Sequence, residues 1–199
     1  MAQTPTTRSV GRPRQFDEEA ALEAAMGAFW ARGYEATSMA DLCACTGLHK
    51  GSLYQAFGDK RKLFLTALKH YADKQFRDVA SVAFRSDSPL ANIKAAVKAL
   101  CDHAKEDAGC LVVNSMVELA PHDPDVREAV SGFAEQRVRF MADMIGKAQQ
   151  AGELSTGQDP KMLAQQLMLT VAGGSVLMKT MLNADEIQRT LENLVDSWV

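Results

Sequence analysis

Residues 48–57, LHKGSLYQAF, combine side chains that are suited to contacting double-stranded DNA. Ser52 and Gln55 can reach base edges or phosphates, and Lys50 supplies positive charge. Tyr54 can donate a hydrogen bond to a phosphate oxygen. These residue types also occur on ordinary polar helices, so their interpretation depends on the elements that carry them.

Two short helices joined by a tight turn would position these side chains. Residues 38–47, SMADLCACTG, carry the S-x-x-D spacing of a helix-capping box, and Gly47 ends that helix. In the second helix, Leu53 and Phe57 lie four residues apart and face the core, which leaves the polar residues and Gly51 pointing outward. Gly51 has no side chain and would allow close approach to a groove wall. The arrangement is that of a helix-turn-helix, and an ordinary helical hairpin is the alternative.

Two basic segments accompany this unit. Residues 60–62 are all basic and follow Asp59 in the first turn of the next helix. Cations there oppose the helix dipole, so a phosphate held at that helix end would offset the cost. Residues 1–14 contain no acid, which suits a flexible arm that places Arg12 and Arg14 in a minor groove. A solvated basic turn and a disordered tail are the alternatives.

The formal net charge of −3 averages two unlike parts of the chain. Residues 1–70 carry nine Lys or Arg against seven Asp or Glu, whereas residues 71–199 carry thirteen against eighteen. The acidic total therefore does not exclude a basic surface for nucleic acid. We expect no membrane association, because no stretch reaches the ~20 apolar residues of a spanning helix. With no apolar secretory signal and four cysteines interpreted as reduced thiols, we expect a cytoplasmic protein.

The spacing of apolar residues predicts helices throughout, with no lasting period-two pattern for a strand. Cap residues, glycines and Asp-Pro pairs divide the chain into about nine helices, so the predicted fold class is all-α. We expect three parts: a basic arm over 1–14, a helix-turn-helix domain over 15–70, and a larger regulatory domain over 71–199 for ligand binding and dimerisation.

The N-terminal helices also match a known family pattern. Residues 16–68 read FDEEAALEAAMGAFWARGYEATSMADLCACTGLHKGSLYQAFGDKRKLFLTAL. The pieces that carry the match are residues 29–34, Thr37-Ser38, Gly47, residues 50–54, Phe57 and Lys60. In this combination and spacing, the segment closely resembles the DNA-binding domain of TetR-family transcriptional regulators. The resemblance implies a homodimer that binds a palindromic operator, usually as a repressor released by a small ligand.

The resemblance also implies roles for single residues. Phosphate contacts fall on Thr37, Ser38, Lys50, Tyr54 and Lys60. Base-facing positions fall on Gly51, Ser52 and Gln55. His49 and Ala56 depart from the family pattern, which often has Ser or Thr at the first position and His at the second. A neutral His49 can still accept a hydrogen bond at the start of the recognition helix, so we keep it in the predicted interface.

A polar stripe marks the candidate ligand site of the second domain. Cys110, Asn114 and Glu118 fall at i, i+4 and i+8 of an otherwise apolar helix. A buried polar stripe needs partners, which a ligand, neighbouring helices or a partner subunit could provide. The expected apolar walls of the ligand pocket are Phe133, Phe140, Met141 and Met144.

Cys110 admits a further hypothesis, because it lies in the first turn of its helix, where the dipole can activate a thiol. It could be a switch for oxidants or electrophiles, or an inert buried thiol. The alternative function is an all-α thiol-dependent enzyme or redox protein using Cys110, although no CxxC motif or adjacent base accompanies it. The histidines are scattered, so we predict no metal site and no cofactor.

The last two helices, over about 160–181 and 185–198, carry more apolar residues than one small core requires. We therefore predict that they form an isologous four-helix interface of a homodimer. The residues proposed for it are Leu163, Leu167, Val171 and Met178, with Ile187, Leu191, Leu194 and Trp198. The favoured function is a sequence-specific transcriptional regulator without enzymatic activity, a repressor released from its operator by an unknown small-molecule effector or a thiol-reactive signal.

Overall fold

The computed structural model describes residues 16–103 and 108–199. Nine α-helices and no β-sheet form this part of the chain, which confirms the all-α prediction. The helices are α1 (Glu18–Arg32), α2 (Met39–Thr46), α3 (Lys50–Phe57), α4 (Lys60–Val82), α5 (Pro89–Asp102), α6 (Leu111–Glu118), α7 (Pro124–Gln150), α8 (Pro160–Leu177) and α9 (Ala184–Asp196). None of these helices is long and apolar enough to cross a bilayer. The predicted arm, with Arg12 and Arg14, lies outside the described residues.

Side-chain caps explain where the N-terminal helices begin. Asp17 accepts hydrogen bonds from two backbone N–H groups of α1, and Asp59 accepts one at the start of α4. The predicted capping box is present: Ser38 Oγ accepts from Asp41 N at 3.1 Å, and Asp41 Oδ2 accepts from Ser38 N at 2.9 Å. Gly47 ends α2 in the left-handed conformation with φ 68°. The boundaries of the helix-turn-helix therefore follow from local sequence.

Two apolar cores divide the helices in an unexpected way. One core joins α1, α2, α3 and the first half of α4 with α6 and the start of α7. The other joins the end of α4 with α5, the second half of α7, α8 and α9. Leu111 and Val112 of α6 are each 2% exposed, and both belong to the first core. A helix of the predicted regulatory domain thus completes the core of the predicted DNA-binding domain.

Polar contacts reinforce this junction. The indole N–H of Trp30 donates to Gly109 O at 3.0 Å, just before α6. At the other end of α6, the Glu118 carboxylate accepts hydrogen bonds from Tyr34 N at 3.1 Å and Glu35 N at 2.9 Å. Both ends of α6 are therefore tied to α1 or to the loop that follows it.

Most residues predicted to form the dimer interface lie inside the subunit, which corrects the choice of side chains but not the prediction that these two helices form a homodimer. Leu163, Leu167 and Leu191 are at most 1% exposed, and Met178, Ile187 and Trp198 are also buried. Val171 and Leu194 are partly buried against the same core. Helical periodicity correctly identified an apolar stripe but could not say whether a neighbouring helix or a second subunit covers it. In addition, α8 ends at Leu177, four residues before the predicted boundary.

Candidate functional site

Helix α3 presents a polar face to solvent, as its sequence predicts. Leu53 is 1% exposed, and Phe57 packs partly buried against the N-terminal core. On the opposite side, Lys50, Gly51, Tyr54 and Gln55 are exposed, with Ser52 half-buried beside them. The predicted base-facing positions therefore share one accessible surface. We call the set Lys50, Gly51, Ser52, Tyr54 and Gln55 the recognition face.

Two details shape this recognition face. A Cβ atom added at Gly51 would have no heavy atom within 4 Å, so nothing inside the subunit requires a glycine there. The Lys50 Nζ lies 5.7 Å from the centroid of the Tyr54 ring, a cation–π distance. His49 is exposed at the N-cap of α3, but its side chain makes no capping hydrogen bond, contrary to expectation. The helix begins there without side-chain help.

The predicted phosphate contacts outside α3 differ in accessibility. Ser38 is exposed at the start of α2, whereas Thr37 is fully buried. The Thr37 hydroxyl donates to Gly33 O at 2.6 Å and stabilises the end of α1. Its prediction as a side-chain phosphate contact is corrected, because the hydroxyl points into the protein.

The basic turn at the start of α4 is partly neutralised within the chain. Arg61 pairs with Asp123 Oδ1 at 2.8 Å and with Asp125 Oδ2 at 2.6 Å. The hydrogen bonds from Arg61 lower the pKa of Asp123 to about 2, and those carboxylates raise the pKa of Arg61. Lys60 lies over the ring of Tyr34, with its Nζ 4.2 Å from the centroid. Arg61 therefore ties α4 to the start of α7, which leaves Lys60 and Lys62 as the cations of this turn.

A cavity of about 110 Å³ lies between the helices of the C-terminal part. Helices α4 to α9 all contribute to its wall. The wall is mainly apolar, with side chains such as Leu100, Val112, Met116, Met168 and Leu191. Mainly apolar cavities with a few polar groups are the usual sites for small ligands.

Of the predicted ligand residues, Cys110 alone lines this cavity. The Asn114 side chain donates instead to Ala108 O at 2.8 Å, and Glu118 accepts from the loop after α1. Both residues of the polar stripe therefore find their hydrogen-bond partners within the same subunit. Both residues border a separate space of about 360 Å³ beside the end of α1, so their assignment to a ligand site stays a prediction.

The predicted apolar walls also lie elsewhere. Met144 is buried in the core of the C-terminal helices, and Phe133 packs against the N-terminal core. Phe140 and Met141 line a much smaller space of about 10 Å³, where Phe140 stacks edge-on against Phe76. These four residues fill the interior of the protein. The spacing that identified them is equally typical of a packed core.

Two polar residues of the cavity wall were missed as site residues. Gln75 is 5% exposed and accepts a hydrogen bond at Oε1 from the Arg137 guanidinium. Burial lowers the pKa of Arg137. A glutamine within the apolar stripe of α4, next to Leu68 and Tyr71, was the available sign in the sequence. For Arg137 the available sign was its place on the apolar stripe of α7, four residues after Phe133 and four before Met141, whereas Arg139 lies off that stripe.

Cys110 lies beside a buried tyrosine. The Tyr71 hydroxyl donates to Cys110 Sγ at 3.7 Å, and burial raises the pKa of Tyr71. Burial likewise raises the pKa of the second cavity thiol, Cys101, to about 11. Within the described residues, no group of three or more His, Cys, Asp or Glu side chains could hold a metal ion.

Comparison with known proteins identifies two matching family regions. Residues 21–67 match the family described as bacterial regulatory proteins, tetR family. Residues 89–194 match the family described as tetracyclin repressor-like, C-terminal domain. Together they cover the helix-turn-helix and most of the C-terminal helices.

Individual proteins agree with these matches. The HTH-type transcriptional repressor ComR of Escherichia coli (strain K12) is 34% identical over 174 residues, which cover 85% of this chain and 82% of that protein. The HTH-type transcriptional repressor BdcR of the same organism is 31% identical over 148 residues, which cover 74% and 75%. A solved structure of the TetR family regulator CifR, a cysteine mutant complexed with 26-bp double-strand operator DNA, has a TM-score of 0.83. It is 30% identical, and the match covers 95% of this chain and 100% of that one.

These relatives are named as transcriptional regulators, so they do not support the alternative of a thiol-dependent enzyme. The exposed polar face of α3, the capped helix-turn-helix and both family matches lead to one assignment. The chain belongs to the TetR family and is a DNA-binding transcriptional regulator.

Proposed function

We propose that this protein is a cytoplasmic repressor that binds a palindromic operator as a homodimer and leaves it when an effector enters the cavity. The observation that carries the proposal is the position of α6. Val112, Val113 and Met116 of this helix line the cavity, while Leu111 and Val112 pack in the core that supports α3. A change in the cavity therefore acts directly on the helix that supports the DNA-binding unit.

DNA binding is assigned to the recognition face, to Ser38, His49 and Lys60, and to Arg12 and Arg14 of the arm. Lys50, Lys60 and Tyr54 supply phosphate contacts, whereas Ser52 and Gln55 face the bases. Residues 15–70 bind DNA, and residues 71–199 bind the effector and form the dimer. Helix α6 of the second part packs mainly in the core of the first. Thr37 contributes by holding the end of α1.

An exposed apolar row on α8 supports the homodimer. Met162, Leu169 and Val176 are 62%, 75% and 46% exposed and recur every seven residues, which places them on one side of the helix. Exposed apolar rows of this kind mark interaction surfaces. A two-fold axis would bring the row against its own copy, with α9 alongside, and would set the spacing of the two recognition helices.

Release follows from a population shift. An effector that binds the cavity more tightly when α6 is displaced would favour a state in which Glu118 and Trp30 no longer hold the loop and end of α1. The two recognition helices would then lose the one-turn spacing that a palindrome requires. A thiol-reactive compound that modifies Cys110 would act at the same place, because that residue lines the cavity.

Selection of DNA fragments by the full-length protein tests the DNA-binding proposal. We expect a palindromic site whose affinity falls as salt rises. Lys50→Ala should weaken binding to all sequences and lower the salt slope by about one per contact, whereas Gln55→Ala should relax preference at one position per half-site. Lys98→Ala, an exposed residue of α5, is the control. A selected pool without sequence preference contradicts the proposal.

Two further variants test dimerisation and release. Leu169→Glu should give monomers in sedimentation, whereas Gln136→Glu, at an exposed position of α7, should not. Cys110→Ser should keep operator binding and lose release by N-ethylmaleimide, while Cys45→Ser, at an exposed thiol of α2, should keep both. Unchanged release in Cys110→Ser would remove the thiol route and leave ligand entry as the mechanism to be screened.

A further inference from the structure

The polar end of the cavity is built from hydrogen-bond donors. Arg137 is the one charged residue among the described residues of its wall. Its guanidinium carries five N–H donors. One of its nitrogens donates to Gln75 Oε1, and no other acceptor contacts the group within the described residues. The amide N–H₂ of Gln75 makes no hydrogen bond within the described residues.

No acidic residue neutralises Arg137 within the described part of the chain. Arg32, Arg61 and Arg139 each have an aspartate or glutamate within 4 Å, but Arg137 has none. The titratable groups that interact electrostatically with Arg137 are Cys110, which lines the cavity, Tyr71 and His103. Burial keeps the Tyr71 hydroxyl protonated, because it raises the pKa of that group, so Tyr71 supplies no counter-charge. A cation that is partly buried and lacks a counter-charge is unfavourable, and an anion that entered the cavity would relieve this cost.

The rest of the wall determines what accompanies the anion. Leu100, Val112, Met168 and Leu191 are apolar, and the hydroxyl of Ser175 already donates to Ala172 O at 2.8 Å. A cavity of about 150 Å³ holds one benzene molecule, so a space of about 110 Å³ suits four to six non-hydrogen atoms. An inorganic anion would leave the apolar wall empty, and a neutral apolar molecule would leave Arg137 unpaired.

We propose that the cavity binds a short-chain aliphatic monocarboxylate, whose carboxylate pairs with the guanidinium of Arg137 and the amide of Gln75. Binding of the acid does not depend on the proposed function, but its role as the effector that releases DNA rests on that proposal. Planar carboxylates fit the fork of a guanidinium through two parallel hydrogen bonds. The alkyl chain lies against Val112 and Met116 of α6, the helix that reaches the DNA-binding unit.

The test compares acids with neutral analogues of the same shape. Full-length protein is titrated with acetate, butyrate, hexanoate and octanoate, and with butyramide and hexanamide, by calorimetry and thermal unfolding. We expect butyrate to bind at least tenfold more tightly than butyramide and to raise the unfolding temperature, and we expect octanoate to be too long for the cavity. Equal binding of acids and amides, or no binding of any acid at millimolar concentration, overturns the proposal.

Variants on α7 locate the carboxylate. Arg137→Met should abolish butyrate binding and raise the unfolding temperature of the free protein, since it removes a partly buried cation that lacks a counter-charge. Arg139→Gln, at an exposed position of the same helix, should change neither. Butyrate binding that survives in Arg137→Met overturns the proposal. If that variant does not fold, the comparison of acids with amides on the unmodified protein still decides.

DNA release separates this inference from the proposed function. Acids that bind through Arg137 but leave the operator complex intact would support the carboxylate site and contradict its role as the effector site. Release by a neutral compound or a thiol reagent, with no binding of acids, would support the proposed regulation and overturn the carboxylate site.

Discussion

Replacing Gly51 with alanine should move stability and DNA affinity in opposite directions. The added Cβ would meet no heavy atom within 4 Å in the subunit, so the folded protein accepts it without strain. Alanine is favoured over glycine in a helix by roughly 0.5–1 kcal/mol. Gly51 is the second residue of α3, so we expect a gain at the lower end of that range. The midpoint of urea unfolding should therefore stay unchanged or rise.

The same methyl group should interfere with the operator. If a groove wall lies against Gly51, an extra methyl group costs about 1–3 kcal/mol at each close contact. A dimer carries two recognition helices, so the loss in affinity should reach roughly 30-fold or more, at about 1.4 kcal/mol per factor of ten. Electrophoretic mobility shift at fixed salt measures it.

Gly132→Ala is the matched control. Gly132 lies on an exposed part of α7, and a Cβ there would also have no heavy atom within 4 Å. This variant should gain helix stability and bind the operator with unchanged affinity. If Gly51→Ala binds as tightly as the control, α3 does not approach the DNA closely at this residue, and the argument from the open space fails.

Three further perturbations test the structural assignments. Thr37→Val should lower the free energy of unfolding by about 1–3 kcal/mol, because Gly33 O loses its donor, while the folded protein keeps its operator affinity; a selective loss of affinity would restore Thr37 as a phosphate contact. Glu118→Ala should remove the acceptor for Tyr34 N and Glu35 N and lower the free energy of urea unfolding by roughly 1–3 kcal/mol. It should also weaken operator binding. Unchanged binding would show that this contact does not connect the cavity to the DNA-binding unit. Because Arg61 holds the pKa of folded Asp123 at about 2, below its ordinary 3.8, that carboxylate stabilises the protein above pH 3.8 and loses this effect as the pH falls towards 2. Asp123→Asn keeps a helix cap but should flatten that part of the pH dependence of unfolding, whereas Asp87→Asn in an exposed loop should not.

Local chemistry explains what the sequence could predict. The caps at Asp17, Ser38 and Asp59 act within three residues, so the helix starts could be read directly. The orientation of α3 follows from Leu53 and Phe57, which lie one turn apart on the same helix. The family resemblance then supplied the roles of the exposed residues.

Long-range contacts explain what the sequence could not predict. Glu118 satisfies backbone groups more than 80 residues earlier in the chain, so its role depends on the packing of α6 against the loop after α1. The apolar stripe of α7 places Arg137 inside, but only the helices packed against α7 determine that it borders a cavity. Helix α8 carries two rows of apolar residues with helical spacing, one with Leu163 and Leu167 and the other with Leu169. The packing of α7 and α9 against α8 determines that the first row is the buried one.

The sharing of α6 between the two cores bears on the construction of hybrid regulators. A junction placed between α4 and α5 would separate the recognition unit from Leu111, Val112 and Val126, which complete its interior. A DNA-binding unit that is transferred to another regulator therefore needs α6 and the first turns of α7 from the same source protein. When domains are exchanged between relatives, the DNA-binding unit to be transferred is therefore discontinuous. It consists of the chain through α4 together with the segment from Gly109 to about residue 130. The other helices around the cavity can be exchanged.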